Sequence, residues 1–148
     1  MDFHNRLYNL KKQSFFNNLV IERGIEKESL RVNKDGFISN QSHPKSLGSS
    51  LTNPSITTDF AEALIEIVTP VYTDINQLYK KLESLHVFIN KNLENGEILW
   101  PYSMPPKINN ELDINIATYG NTNMGQLKHV YRKGLAIRYG KTMQCVSG

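Results

Sequence analysis

The chain has a single cysteine, Cys145, among 148 residues, which rules out an intrachain disulfide and fits a reducing compartment. It has no run close to the roughly 18 apolar residues that a membrane helix needs. Its opening residues, Met1-Asp2-Phe3-His4-Asn5-Arg6, lack the apolar stretch of a secretory signal. The expected location is therefore the cytoplasm, with no membrane partner. The chain also lacks a dominant charge: 17 Lys and Arg against 14 Asp and Glu leave +3, with no long basic run, so no nucleic-acid partner is expected. Repeats and low-complexity tracts are missing too. The four histidines, His4, His43, His86 and His129, show no metal-ligand spacing, and Gly120-Asn121-Thr122-Asn123 does not satisfy a phosphate-loop pattern.

What is present suffices for one ordinary core, since 39% of the residues are apolar. Residues 3–20 mix Leu7, Leu10, Phe15, Phe16 and Leu19 with Lys and Asn, which predicts an amphipathic helix. From Ile21 to Val32 the pattern alternates at period two, as in a strand, with Glu26 and Glu28 on one face beside Leu30 and Val32. Asn33-Lys34-Asp35-Gly36 carries the Asp-Gly signal of a tight hairpin and Phe37-Ile38-Ser39 a short return. Residues 40–57 read as loop. Thr73-Asp74 opens a helix with Ile75, Leu78, Leu82, Leu85 and Ile89 on its apolar stripe, ending near Asn95-Gly96. Trp100-Pro101-Tyr102-Ser103-Met104-Pro105-Pro106 is a shaped loop with room for a cis bond. A turn at Gly120–Asn123 leads to a last helix, with Leu127, Tyr131, Leu135 and Arg138 on one flank and Gly140 as its stop. Residues 141–148 suggest the start of a further strand.

Two segments stand out, Gly24-Ile25-Glu26-Lys27-Glu28-Ser29-Leu30-Arg31-Val32 and Thr58-Asp59-Phe60-Ala61-Glu62-Ala63-Leu64-Ile65-Glu66. Each places carboxylates where a folding chain normally puts apolar side chains. Crowded, half-buried carboxylates must protonate, find basic partners, or share divalent cations. The second segment is ambiguous, because Phe60, Ala63, Leu64 and Ile67 form a helical stripe while Ala61, Ala63, Ile65 and Ile67 form a strand face. Local pattern slightly favours the helix.

Taken in order, the acidic pieces, the Trp-Pro-Tyr-Ser-Met-Pro loop and the stretch Leu127-Lys128-His129-Val130-Tyr131-Arg132-Lys133-Gly134-Leu135-Ala136-Ile137-Arg138-Tyr139-Gly140 resemble bacterial glutamate–cysteine ligase (gamma-glutamylcysteine synthetase) of the proteobacterial type. The resemblance runs from about Ile21 to Gly148 and covers the N-terminal part of that family's chain. It implies an α+β fold, an antiparallel sheet resembling the glutamine synthetase catalytic domain with helices packed outside. Residues 1–148 would be the N-terminal part of a single catalytic domain, truncated at the C-terminus. The second acidic segment would then be a strand, and a bulge would be needed to bring Asp59 to the face of Glu66.

The activity implied is ATP-dependent joining of the gamma-carboxylate of L-glutamate to the amine of L-cysteine through a gamma-glutamyl phosphate, the first step of glutathione biosynthesis. The resemblance assigns Glu26, Asp59 and Glu66 as magnesium ligands and Glu28 as a ligand of a second magnesium nearer the nucleotide. Phe60, Tyr131, Leu135 and Gln144 match positions that enclose the cysteine substrate, and Arg132 matches a phosphate-binding role. Each has a plainer reading: a solvated strand face for the glutamates, core for Phe60 and Leu135, a helix flank for Tyr131, an exposed salt bridge for Arg132. No catalytic residue is assigned. The family's remaining metal ligands, a histidine and a further glutamate, would follow Gly148, so the segment is expected to be inactive alone. The alternative is a non-catalytic remnant that binds magnesium or an amino acid weakly.

Overall fold

The computed structural model describes residues 2–145, apart from the side chain of Asn18. Four strands form one antiparallel sheet: β1 (Glu26–Val32), β2 (Ile56–Thr58), β3 (Leu64–Val68) and β4 (Ile98–Leu99), in the order β2-β3-β1-β4. The helices are α1 (Phe3–Lys12), α2 (Ile75–Asn92) and α3 (Asn123–Tyr139). This is the expected α+β arrangement.

Register explains how the core is divided. Ser29 pairs with Ile65, and Lys27 with Ile67, so these residues share one sheet face. Ile56, Ile65 and Ile67 on that face pack with Leu47 and with Leu85 and Ile89 of α2. Burying each such side chain stabilises the fold by roughly 1.5–3 kcal/mol. Asp74 caps α2 by accepting from the Asn76 amide at 2.7 Å. Leu78, Leu85 and Ile89 of the expected stripe are buried, whereas Ile75, in the first turn, is exposed.

The other sheet face is divided along its length. Leu30 and Leu64, directly paired, are covered by Phe60, Ala61, Ile114 and Cys145, with Leu135 and Ala136 of α3 packed against them. Two residues further along each strand, Glu28 pairs with Glu66. The Cys145 thiol, buried in this cluster, has its pKa pushed up to about 11 by desolvation and then by Glu111, so it is an inert core residue.

Several local expectations change. The first helix stops at Lys12, because Ser14 takes a left-handed backbone (φ 54°), and a short 3-10 turn, Phe15–Asn18, follows. Pairing in β1 begins only at Glu26, with Arg23 and Tyr72 making a separate bridge. The Asp-Gly hairpin forms, the Gly36 amide donating to the Asn33 carbonyl at 3.0 Å, but its return is a bridge of Ile38 to Val32 and not a strand. All peptide bonds in the Trp-Pro loop are trans. Residues 142–145 form a 3-10 turn where a strand was expected, and 146–148 lie outside the described residues.

Candidate functional site

The second acidic segment is neither one helix nor one strand. It is the end of β2, a turn, and the start of β3. Thr57 pairs with Glu66 and Thr58 with Ile65, so the hairpin register puts odd-numbered residues of β2 on the face of even-numbered residues of β3. Continued by one step, that register carries Asp59 to the side of Glu66. The change of side expected from a bulge comes from the chain reversal instead.

Glu26, Glu28 and Glu66 therefore share one sheet face. Glu28 and Glu66 are directly opposite each other, where like charges destabilise a sheet. Burial raises the Glu28 carboxyl above its ordinary value, with Asp59 and Glu26 adding to the effect. Burial likewise raises Glu66, followed by Asp59, Glu28 and Glu26, while Arg132 opposes them. Lys27 offers no neutralisation here, since its ammonium donates to Ser29 Oγ at 2.5 Å on the opposite face.

Asp59 has a basic partner. Arg132 of α3 donates from Nη2 to Asp59 Oδ1 at 2.9 Å and from Nε to the Asp59 carbonyl, and its Nη1 reaches the Lys128 carbonyl at 3.2 Å. The guanidinium lies over the Tyr119 ring, 4.8 Å from its centre. Arg132 thus makes a salt bridge, but at the acidic site and with its guanidinium largely buried, where the plainer reading had an exposed one.

Glu62, in the same turn, has a different role. Its carboxylate accepts from the His43 amide at 2.9 Å, from the Thr118 amide at 2.7 Å and from the Thr118 hydroxyl, so it ties two loops to the turn and is not available as a ligand. Of the expected cysteine-pocket residues, Phe60 is 2% exposed in the core and Leu135 packs against the same cluster. Tyr131, one turn before Leu135, is 64% exposed, and Gln144 is half-buried in the turn after α3. The structure thus joins two of the four and leaves Tyr131 on the open flank.

Tyr119 is the residue that sequence reasoning missed. It is 4% exposed, and its hydroxyl is shared between the carbonyls of Thr58 (2.7 Å) and Asp59 (2.8 Å). The local signal was the Tyr-Gly step just before the helix cap: Thr122 Oγ1 accepts from the Gly125 amide, and a Cβ on Gly125 would lie 2.4 Å from the Tyr119 carbonyl oxygen. Glycine is required there for α3 to touch the strap of residues 117–119.

All-carboxylate oxygen donors on a half-buried face suit a hard divalent cation such as magnesium. Among the described residues, however, no three Asp, Glu, His or Cys side chains converge to hold an ion by themselves. The donor chemistry fits, and the donor count is partial.

The fold and site define a class: an α+β chain whose antiparallel sheet carries an under-neutralised acidic face. The chain belongs to the glutamate–cysteine ligase family, whose family model matches residues 5–148. It is 52% identical over 128 residues to the glutamate–cysteine ligase of Hahella chejuensis and 53% identical over 125 residues to that of Pseudomonas aeruginosa. Those stretches cover 86% and 84% of the chain and 24% of each relative. Among solved structures it is similar to the Francisella tularensis glutamate–cysteine ligase in complex with AMP, with a TM-score of 0.83 and 45% identity, over 86% of this chain and 25% of that one. A bifunctional glutathione synthetase from Pasteurella multocida gives a TM-score of 0.77 and 35% identity, over 86% of this chain and 16% of that one. The chain spans about a quarter of the length of the curated relatives it matches.

Proposed function

We propose that this chain supplies part of the catalytic centre of an ATP-dependent glutamate–cysteine ligase, in which the gamma-carboxylate of L-glutamate is phosphorylated and the amine of L-cysteine displaces phosphate. The observation that supports it is the face bearing Glu26, Glu28 and Glu66, with Asp59 alongside, where four carboxylates meet one guanidinium. Bringing an anionic phosphate towards an anionic carboxylate demands charge neutralisation and alignment. Glu26, Asp59 and Glu66 would hold magnesium, with Glu28 on a second ion nearer the nucleotide. That cation would supply positive charge at the phosphates. Arg132, held in place by Asp59, would add a constant positive charge on the same side. Phe60, Tyr131, Leu135 and Gln144 would contribute to the enclosure of cysteine. Residues 1–148 would act as the N-terminal part of one catalytic domain, in the cytoplasm, with the AMP-bound relative favouring an adenine nucleotide.

The test is a segment swap. Placing residues 5–148 in the matching position of the Hahella chejuensis ligase should give ADP release that requires cysteine, magnesium and glutamate together. A folded chimera without that activity overturns the proposal. In the active chimera, Glu26→Gln should sharply raise the magnesium requirement. The second reading, a chain that binds magnesium or an amino acid weakly without catalysis, draws on the lack of three convergent donors among the described residues. It predicts an inactive chimera.

A further inference from the structure

We infer that Tyr119 is a positioning residue for Asp59, acting on the backbone and on the Arg132 counter-ion at once. The inference rests on the reading of that face as a cation site. Asp59 lies just past the end of β2, outside the ladder, so strand pairing does not hold it. What holds it is Tyr119 and Arg132. The Tyr119 hydroxyl, buried and with one proton to give, points between the Thr58 and Asp59 carbonyls. Its ring is the platform on which the Arg132 guanidinium rests, with the Lys128 ammonium 4.9 Å from the same ring centre. Arg132 then grips Asp59 twice, at its carbonyl and at Oδ1.

Tyr119 is itself held on both sides. Residue by residue, the strap is bonded to the turn that follows Asp59: the Ala117 amide donates to the Phe60 carbonyl at 2.9 Å, and Thr118 gives both of its donors to Glu62. His129 Nδ1 meets the Ala117 carbonyl at 2.8 Å from α3. On the other side Gly125 brings the start of α3 against the Tyr119 carbonyl. A rigid support beside an unpaired strand end is how a ligand is kept in place by residues that never touch the ion. The Arg132 side chain is 13% exposed and that of Asp59 44%, so the grip is buried while the carboxylate stays reachable from the acidic face.

The test measures manganese binding by the folded chimera that carries residues 5–148 in the Hahella chejuensis ligase, through loss of the free-ion electron paramagnetic resonance signal. Tyr119→Phe removes the hydroxyl and keeps the ring. Ile89→Val, in the core on the other sheet face, serves as a control for general loss of stability. Both should lower the thermal midpoint, but only Tyr119→Phe should weaken manganese binding, by about tenfold. Equal manganese affinity in Tyr119→Phe and Ile89→Val overturns the assignment. If Tyr119→Phe does not fold, Arg132→Lys takes its place: it keeps the charge, loses the two-point grip, and should weaken binding similarly, whereas wild-type affinity overturns the assignment. A chimera with the unsubstituted segment that takes up no manganese overturns the cation-site reading itself, a result distinct from binding that Tyr119 leaves unmoved.

Discussion

Two charged regions sit on either side of the same sheet and obey opposite rules. On one side Arg31, 0% exposed, donates from Nη1 to both oxygens of Glu97 at 2.9 and 2.8 Å, and from Nη2 to the carbonyls of Gln41, Ser42 and Glu62. The Ser39 hydroxyl donates to the same Glu97 carboxylate. Only Nε lacks a partner. On the other side Glu28 faces Glu66 across the ladder with Glu26 next along the strand, and the nearby guanidinium is already engaged by Asp59. The first region satisfies its charges and closes the fold. The second leaves negative charge in excess at the edge of a core, which stability alone does not favour and a cation would relieve.

The largest expected effect breaks the closed region. Arg31→Met leaves Glu97 buried and without its counter-ion, which should cost about 3–5 kcal/mol in urea unfolding, and adding Glu97→Leu should recover much of that loss. A loss no greater than that of an exposed pair would show that the knot is not structural. The open region should answer with the opposite sign. Glu66→Gln in metal-free buffer removes a like-charge contact and should stabilise the chain by about 0.2–1 kcal/mol, read as a higher urea midpoint. A destabilisation of that size would mean that Glu66 has a basic partner in solution and that the contrast between the regions is unsound.

Much of this contrast was legible in the residues. Period-two alternation placed Glu26 and Glu28 on one strand face, and the spacing of Leu78, Leu85 and Ile89 gave the helix that covers the other. The segment 58–66 was not legible locally, because Phe60, Ala63 and Leu64 suit a helix slightly better than a strand, and neither pattern signals the turn between β2 and β3 that the hairpin register imposes. Arg31 looked like one more polar residue of an alternating strand. Its partner Glu97 lies 66 residues away, a pairing that no local pattern encodes. Tyr119 was missed for the same reason: its partners Thr58 and Asp59 are about sixty positions upstream.

The smallest effect is also the one that separates the two regions most cleanly, because they should titrate in opposite directions. His43 lies beside the Arg31 knot with both ring nitrogens buried and unpartnered. Burial, then Arg31, lowers its pKa below the ordinary 6.5, although Glu62 opposes them. An unfolded chain therefore takes up this proton first. The stability His43 contributes is present above 6.5 and is lost as pH falls. Glu28 and Glu66 are raised above the ordinary 4.5, so the folded chain holds their protons longer. Their contribution is present below 4.5 and is lost as pH rises. Between those values the two regions pull against each other. Urea midpoints measured across this window should show His43→Gln gaining on the wild type as pH falls, and Glu66→Gln gaining on it as pH rises. Parallel curves for all three proteins would remove the electrostatic basis of the contrast. A large excess of magnesium should flatten the Glu66→Gln difference and leave that of His43→Gln untouched, since the cation would neutralise only the open face.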